Sequence, residues 1–196
     1  MSTAVRKKRL PPRMSVAGFL DWPGDGTSRR YQLVDGEVRA MSPASATHGI
    51  IQATLAYLIT RRLIETGSPC RAVAEPAVAP RLRASANLRV PDLGVTCSAN
   101  EPGQFVVPDP ILLIEILSPT NEADTRENLF AYATIASVRE ILVVHSTRVL
   151  AEILRRLPDG SWPEEAEEVG PGGTLRLESV DLTCPLAEVY ARTHLA

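Results

Sequence analysis

Glu115 lies inside Ile111-Leu112-Leu113-Ile114-Glu115-Ile116-Leu117, an apolar run closed by Ser118-Pro119. Such a run reads as a strand buried on both faces. A carboxylate in its middle is costly unless something pairs with it. The candidate companions are Asp92, in Arg89-Val90-Pro91-Asp92-Leu93-Gly94-Val95, and Glu37, which starts the second arm of a hairpin. Acids gathered on neighbouring strands repel one another and raise each other's pKa unless a cation balances them. A hard divalent ion fits that need: Mg2+ takes oxygen ligands, keeps several waters and commonly uses one or two carboxylates plus a phosphate. It can also polarise a phosphodiester oxygen and acidify a bound water. From spacing alone, three unrelated surface acids stays open as the alternative.

Other polar residues are weighed against plainer roles. His48 falls in the first turn of a predicted helix, where it serves either as an ordinary helix-terminal or core histidine or as a group facing the acids. Arg61, Arg62, Arg71, Arg81, Arg83 and Arg89 cluster in sequence and suit phosphate, although a general preference for arginine over lysine explains them equally. Trp22 and Trp162 read as packing residues rather than stacking platforms. No Ser-His-Asp pattern is recognisable around Ser118 in the sequence, which argues against nucleophilic catalysis.

The elements that must position these residues follow from periodicity. A short helix is predicted over 15–22. Alternation on both sides of Asp35-Gly36 predicts a β-hairpin over 31–41. Ile50, Ile51, Leu55, Leu58, Ile59 and Leu63 form a helical stripe over 47–65, capped by Ser45 or Thr47 and ended at Gly67. Strands are predicted over 71–78, 88–96, 111–117, 139–145 and 149–157. A helix over 123–136 carries Leu129, Tyr132, Ala133 and Ala136 on its apolar face. A meander over 165–169 and 174–182 leads into a closing helix over 185–192. This order predicts an α/β (α+β) fold, a mixed β-sheet flanked by helices.

Length and composition set outer bounds. The chain has 196 residues, 44% hydrophobic and 22% charged, enough for one domain with a real core. A basic, Pro-broken tail over 1–13 and a single domain over 14–196 are expected. A formal charge of −2 excludes a nonspecific polyanion binder. No apolar run is long enough for a membrane span, and no secretory core follows the basic N-terminus. Cys70, Cys97 and Cys184 predict neither a disulfide framework nor a zinc site, so a reducing cytoplasm is the default. Lys7 and Lys8 are the only lysines.

The chain resembles the Uma2 family of endonuclease-like proteins, within the PD-(D/E)xK nuclease superfamily. The resemblance rests on Tyr31-Gln-Leu-Val-Asp-Gly-Glu37, Met41-Ser-Pro43 with His48, Val90-Pro-Asp92, Ile114-Glu-Ile-Leu-Ser-Pro119, the segment from Asp124 to Tyr132, and the segment from Val138 to Val144. It implies a restriction-endonuclease-like core with acids at one edge and a Mg2+- or Mn2+-dependent endonuclease that hydrolyses DNA. The implied metal ligands are Glu37, Asp92, Glu115 and the main-chain carbonyl of Ile116. A homodimer is expected by analogy. Two positions depart from the pattern. The superfamily lysine falls on Leu117, and the helix position where Uma2-like chains carry lysine falls on Asn128. Asn128 can orient a water but brings no charge. Gln32 replaces an acid. A nuclease-like fold that binds nucleic acid or a protein partner without cleavage is therefore the alternative.

Overall fold

Strand β5 (Pro110–Leu117) is buried along its whole length, and its alternation sorts the core into two layers. The computed structural model describes residues 13–119 and 121–196; the expected basic tail, apart from Arg13, lies outside these. Leu112, Ile114 and Ile116 point to one face of the sheet, where they meet Ile51, Leu55 and Ile59 of helix α2 (Ala46–Glu65). Leu113 and Leu117 point to the other face and meet Leu129 and Tyr132 of helix α3 (Glu122–Ala133). Period-2 side chains on the strand and 3.6-period stripes on the helices produce this division. Glu115 has the parity of the α3 face.

The main sheet has six strands in the order β3-β4-β5-β6-β7-β8. Its members are β3 (Arg71–Ala74), β4 (Leu93–Thr96), β5, β6 (Glu140–His145), β7 (Ala151–Arg155) and β8 (Glu167–Val169). Only β5 and β6 pair in parallel, and α3 is the crossover that a parallel pair requires. The sheet is thus mixed and flanked by helices, as the sequence predicts. A separate hairpin, β1 (Tyr31–Val34) and β2 (Glu37–Ala40), turns at Asp35-Gly36, both with positive φ. That is the geometry a two-residue hairpin turn demands. Helix α1 (Val16–Leu20), capped by Ser15, lies over this hairpin, and Trp22 packs against Phe19 and Tyr31.

Two expected strands are shorter or split. The strand over 88–96 begins only at Leu93, because Pro91 offers no donor to a ladder; Leu88 and Arg89 instead bridge Leu33 and Val78. The segment 174–182 divides into β9 (Thr174–Leu177) and a 3-10 turn, after which left-handed Asp181 leads into β10 (Leu182–Pro185).

The cysteine expectation is corrected. Cys70 and Cys97 form a disulfide across a sequence separation of 27. The β3–β4 register pairs Arg71 with Thr96, which sets the two cysteines opposite each other one step beyond the ladder. Distance along the chain concealed this. Among the described residues, no helix is long and apolar enough to cross a membrane.

Candidate metal and phosphate site

Asp92 and Glu115 come together because β4 runs antiparallel to β5 and pairs Leu93 with Ile114. The next pair outward is Asp92 beside Glu115. Both are nearly fully buried, and both line a cavity of about 50 Å3, room for an ion or a water. His48, Gln32, Asn128, Arg30 and Asp124 contribute to the same wall.

Each acid is held by a defined set of donors. Asp92 Oδ1 lies 2.9 Å from His48 Nε2, and its Oδ2 accepts the Ile116 N–H at 2.6 Å. Helix α2 delivers His48 in its first turn behind the Ser45 cap, and Gln52 one turn later donates to the Asp92 carbonyl at 2.8 Å. His48 therefore faces the acids. Glu115 Oε1 accepts from Tyr132 Oη at 2.6 Å and from Asn128 Nδ2 at 3.1 Å. These two donors sit one turn apart on α3 and present a single face to the strand. Both bonds fall on Oε1, so Oε2 is left for the cavity. Burial, and then the neighbouring Asp92 carboxylate, push the Glu115 carboxyl up to about 8; Tyr132, Asn128 and the Arg89 charge pull the other way. Burial and the Glu115 carboxylate raise Tyr132 well above its usual range.

The structure does not bring every expected residue here. Glu37 is exposed at the turn end of its hairpin, facing Arg13 and Arg39. The cavity lies at the open end, where Arg30, Gln32, Ala40 and Met41 line it. Gln32 is 6% exposed and its Oε1 has no hydrogen-bond partner. Of this hairpin's polar residues, the departure from the family pattern, not the matching acid, is the one at the site. Ile116 serves Asp92 with its N–H, and its carbonyl accepts from Asn121 Nδ2 at 3.3 Å. Asn128 reaches the cavity, but its Oδ1 accepts from Arg89 at 3.0 Å. Arg126 turns away to Glu152, at 2.6 and 2.9 Å.

Of the arginines clustered in sequence, Arg89 reaches the site, through its hydrogen bond to Asn128. Arg62 pairs with Asp181, Arg83 with Asp35, and Arg61 stacks on Tyr57 beside Glu65. Tyr132, Arg30 and Gln32 stand at the site without being expected there as site members, and Arg89 reads in the sequence only as one of a phosphate-suited cluster. Tyr132 is legible as one turn beyond Asn128, but it also satisfies the apolar stripe and is absorbed there.

Do these residues fit a divalent ion? Among the described residues no three His, Cys, Asp or Glu side chains form a metal-holding cluster. Two carboxylates are nevertheless what Mg2+ commonly takes from a protein, with water and phosphate completing its shell. The partnerless Gln32 Oε1 supplies a further hard oxygen on the same wall. A carboxylate held neutral by burial is also one that a cation can readily ionise. The donor set fits.

A stability consequence follows from Glu115. Its folded-state pKa lies above the ordinary value, so the folded chain holds a proton that the unfolded chain releases between pH 4.5 and about 8. The stabilisation is complete below pH 4.5 and lost as pH rises through 8. In EDTA, the unfolding free energy from urea titrations should fall from pH 5 to pH 8.5, by an amount on the order of a few kcal/mol relative to Glu115→Gln. Equal pH slopes for the two proteins contradict this.

The Uma2 family model, described as "Putative restriction endonuclease", matches residues 16–187. A protein of Synechocystis sp., "Uncharacterized protein slr1290", is 29% identical over 154 residues, which is 77% of this chain and 78% of that protein. In structure, the chain resembles a crystal structure described as "a putative nuclease belonging to DUF820" from Anabaena variabilis. The TM-score is 0.74 at 17% identity, covering 91% of this chain and 98% of the other. That likeness speaks to the fold, and the family match spans nearly the whole chain: it belongs to the Uma2 family.

Proposed function

We propose that this chain is a divalent-metal-dependent endonuclease that hydrolyses DNA phosphodiester bonds. The observation that carries the reading is the pairing of two buried carboxylates, Asp92 and Glu115, at the wall of one small cavity. Glu115 Oε2, Asp92 and the Gln32 amide oxygen would hold Mg2+ or Mn2+. An ion held there would supply Lewis acidity toward a phosphodiester oxygen and a bound water. The protein's own contribution is positional. His48 and the Ile116 N–H fix the Asp92 carboxylate, Tyr132 and Asn128 fix Glu115, and Arg30, which lines the cavity, is paired with Glu75. Glu37 stands outside this set.

One observation favours a second reading, a nuclease-like fold that binds nucleic acid without cutting it. The helix position that would carry a lysine is Asn128, whose Oδ1 and one N–H are both engaged within the protein. One experiment separates the two. Supercoiled plasmid and single-stranded DNA are incubated with the protein and Mn2+ or Mg2+, with and without EDTA, and DNA binding is followed by fluorescence anisotropy. Metal-dependent nicking is expected. DNA binding without nicking supports the second reading, and neither binding nor nicking removes both.

A further inference from the structure

Arg89 is among the largest fully buried side chains of the protein, 2% exposed. Its guanidinium stays charged at any accessible pH, and a buried charge is costly unless paired. Its partners are unusual for such a group. Nη2 reaches the half-exposed Glu127 Oε1 at 3.4 Å, and Nε has no partner at all. Its shortest hydrogen bond, Nη1 to Asn128 Oδ1 at 3.0 Å, goes to a neutral amide. That amide then donates to Glu115 Oε1 at 3.1 Å. Cation, amide and carboxylate form one buried chain.

The interposed amide has two ends of opposite character. A donor on Oδ1 decides which end faces Glu115. With Arg89 in place, the NH2 group points at Oε1, and Glu115 keeps Oε2 toward the cavity. Without it, nothing at Oδ1 opposes a flip that would set oxygen against oxygen. The segment carrying Arg89 also carries Asp92, and it is anchored by reciprocal backbone bonds between Arg89 and Val78 at 2.8 and 2.9 Å. Cation and metal-binding acid are thus placed by the same piece of chain. No lysine exists beyond Lys8, and among the described residues Arg89 is the buried arginine.

We infer that Arg89 is a positioning residue of this site: through Asn128 it sets the orientation of Glu115 and supplies the fixed positive charge that the lysine-free core otherwise lacks. The inference rests on the proposed metal site, and a role confined to pinning α3 against residues 88–92 is its rival.

A double-mutant cycle decides between them. Mn2+ affinity is measured by calorimetry for the wild type, Arg89→Gln, Asn128→Ala and the double variant, with urea midpoints recorded for each. Arg89→Gln and Asn128→Ala should each weaken Mn2+ about tenfold, as outer-shell partners do. The double variant should also lose about tenfold, because Arg89 acts through Asn128. Arg89→Lys should bind within about threefold of the wild type, since it keeps charge and donor. An additive loss of about a hundredfold, or a tenfold loss in Arg89→Lys, overturns the inference.

A metal-free readout keeps this separate from the proposed function. In the wild type in EDTA, the Asn128 side-chain amide should give two resolved 15N-attached proton signals that exchange slowly. Arg89→Gln should speed that exchange at least about tenfold, whereas Arg89→Lys should not. Unchanged signals in Arg89→Gln overturn the positioning role even if Mn2+ binds. Should Arg89→Gln fail to fold, Arg89→Lys alone remains decisive: displaced Asn128 signals in it overturn the inference. Absence of Mn2+ binding in the wild type, with the amide behaving as expected, removes the metal reading and leaves Arg89 as the orienter of Asn128.

Discussion

Glu115→Gln should fold, bind Mn2+ at least roughly a hundredfold more weakly than the wild type, and lose about a thousandfold or more in DNA cleavage. Glutamine keeps the shape of the side chain, and its amide oxygen still accepts from Tyr132 and Asn128. It cannot supply an anionic oxygen to the cavity. In EDTA at pH 8.5 the same variant should be more stable than the wild type, because it never carries the charge that burial and Asp92 oppose. Opposite signs for function and stability mark a residue retained for chemistry rather than for folding. Calorimetry, a plasmid assay and urea unfolding on one preparation check all of this, and unaltered Mn2+ affinity would remove Glu115 from the site. Asp92 makes a less clean probe. Its oxygens also hold His48 and the Ile116 N–H, so replacing it disturbs packing and chemistry together.

Ile114→Ala should have the largest effect on stability without touching the chemistry. Ile114 is fully buried on the central strand, between Leu93 of β4 and Leu142 of β6, and it points into the α2 layer. Truncating such a residue costs about 3–4 kcal/mol through lost transfer energy and an unfilled cavity. For a chain of this size the melting temperature should fall by roughly 10 °C. Its neighbour Glu115 faces the other layer. Cleavage per folded molecule, measured well below the new midpoint, should stay within about threefold of the wild type. A cleavage loss as deep as that of Glu115→Gln would mean that the two faces of β5 are not independent.

The strand around Glu115, the helix carrying His48 and the Asp35-Gly36 hairpin are legible in the sequence because each has a strong local signal. A seven-residue apolar run, a repeating helical stripe and a turn needing positive φ leave little choice. Asp92 was legible only beside a second acid on a buried strand, and the β4–β5 register is what joins them. Glu37 shows where such reasoning stops. Gln32 and Glu37 share one face of the hairpin, as the pairing of Gln32 with Arg39 and Val34 with Glu37 shows. Periodicity therefore cannot say which of them reaches the cavity; only the end of the hairpin that docks decides, and docking is a tertiary fact. Arg89 was hidden for a related reason. An arginine among other arginines reads as surface charge, and burial is invisible until the bridge to Val78 turns it inward. Cys70 and Cys97 were separated by the same long excursion.

That excursion has one further consequence. The disulfide between Cys70 and Cys97 turns residues 70 to 97 into a covalent ring, and both Asp92 and Arg89 belong to it. The exposed turn around Arg81 to Ser85 is the ring's outer rim. A backbone break on that rim would open the ring without releasing either residue, since the half carrying them stays tied to the end of α2 through sulfur. The thiol–disulfide state of its surroundings therefore determines whether Asp92 is tethered once, by the backbone alone, or twice.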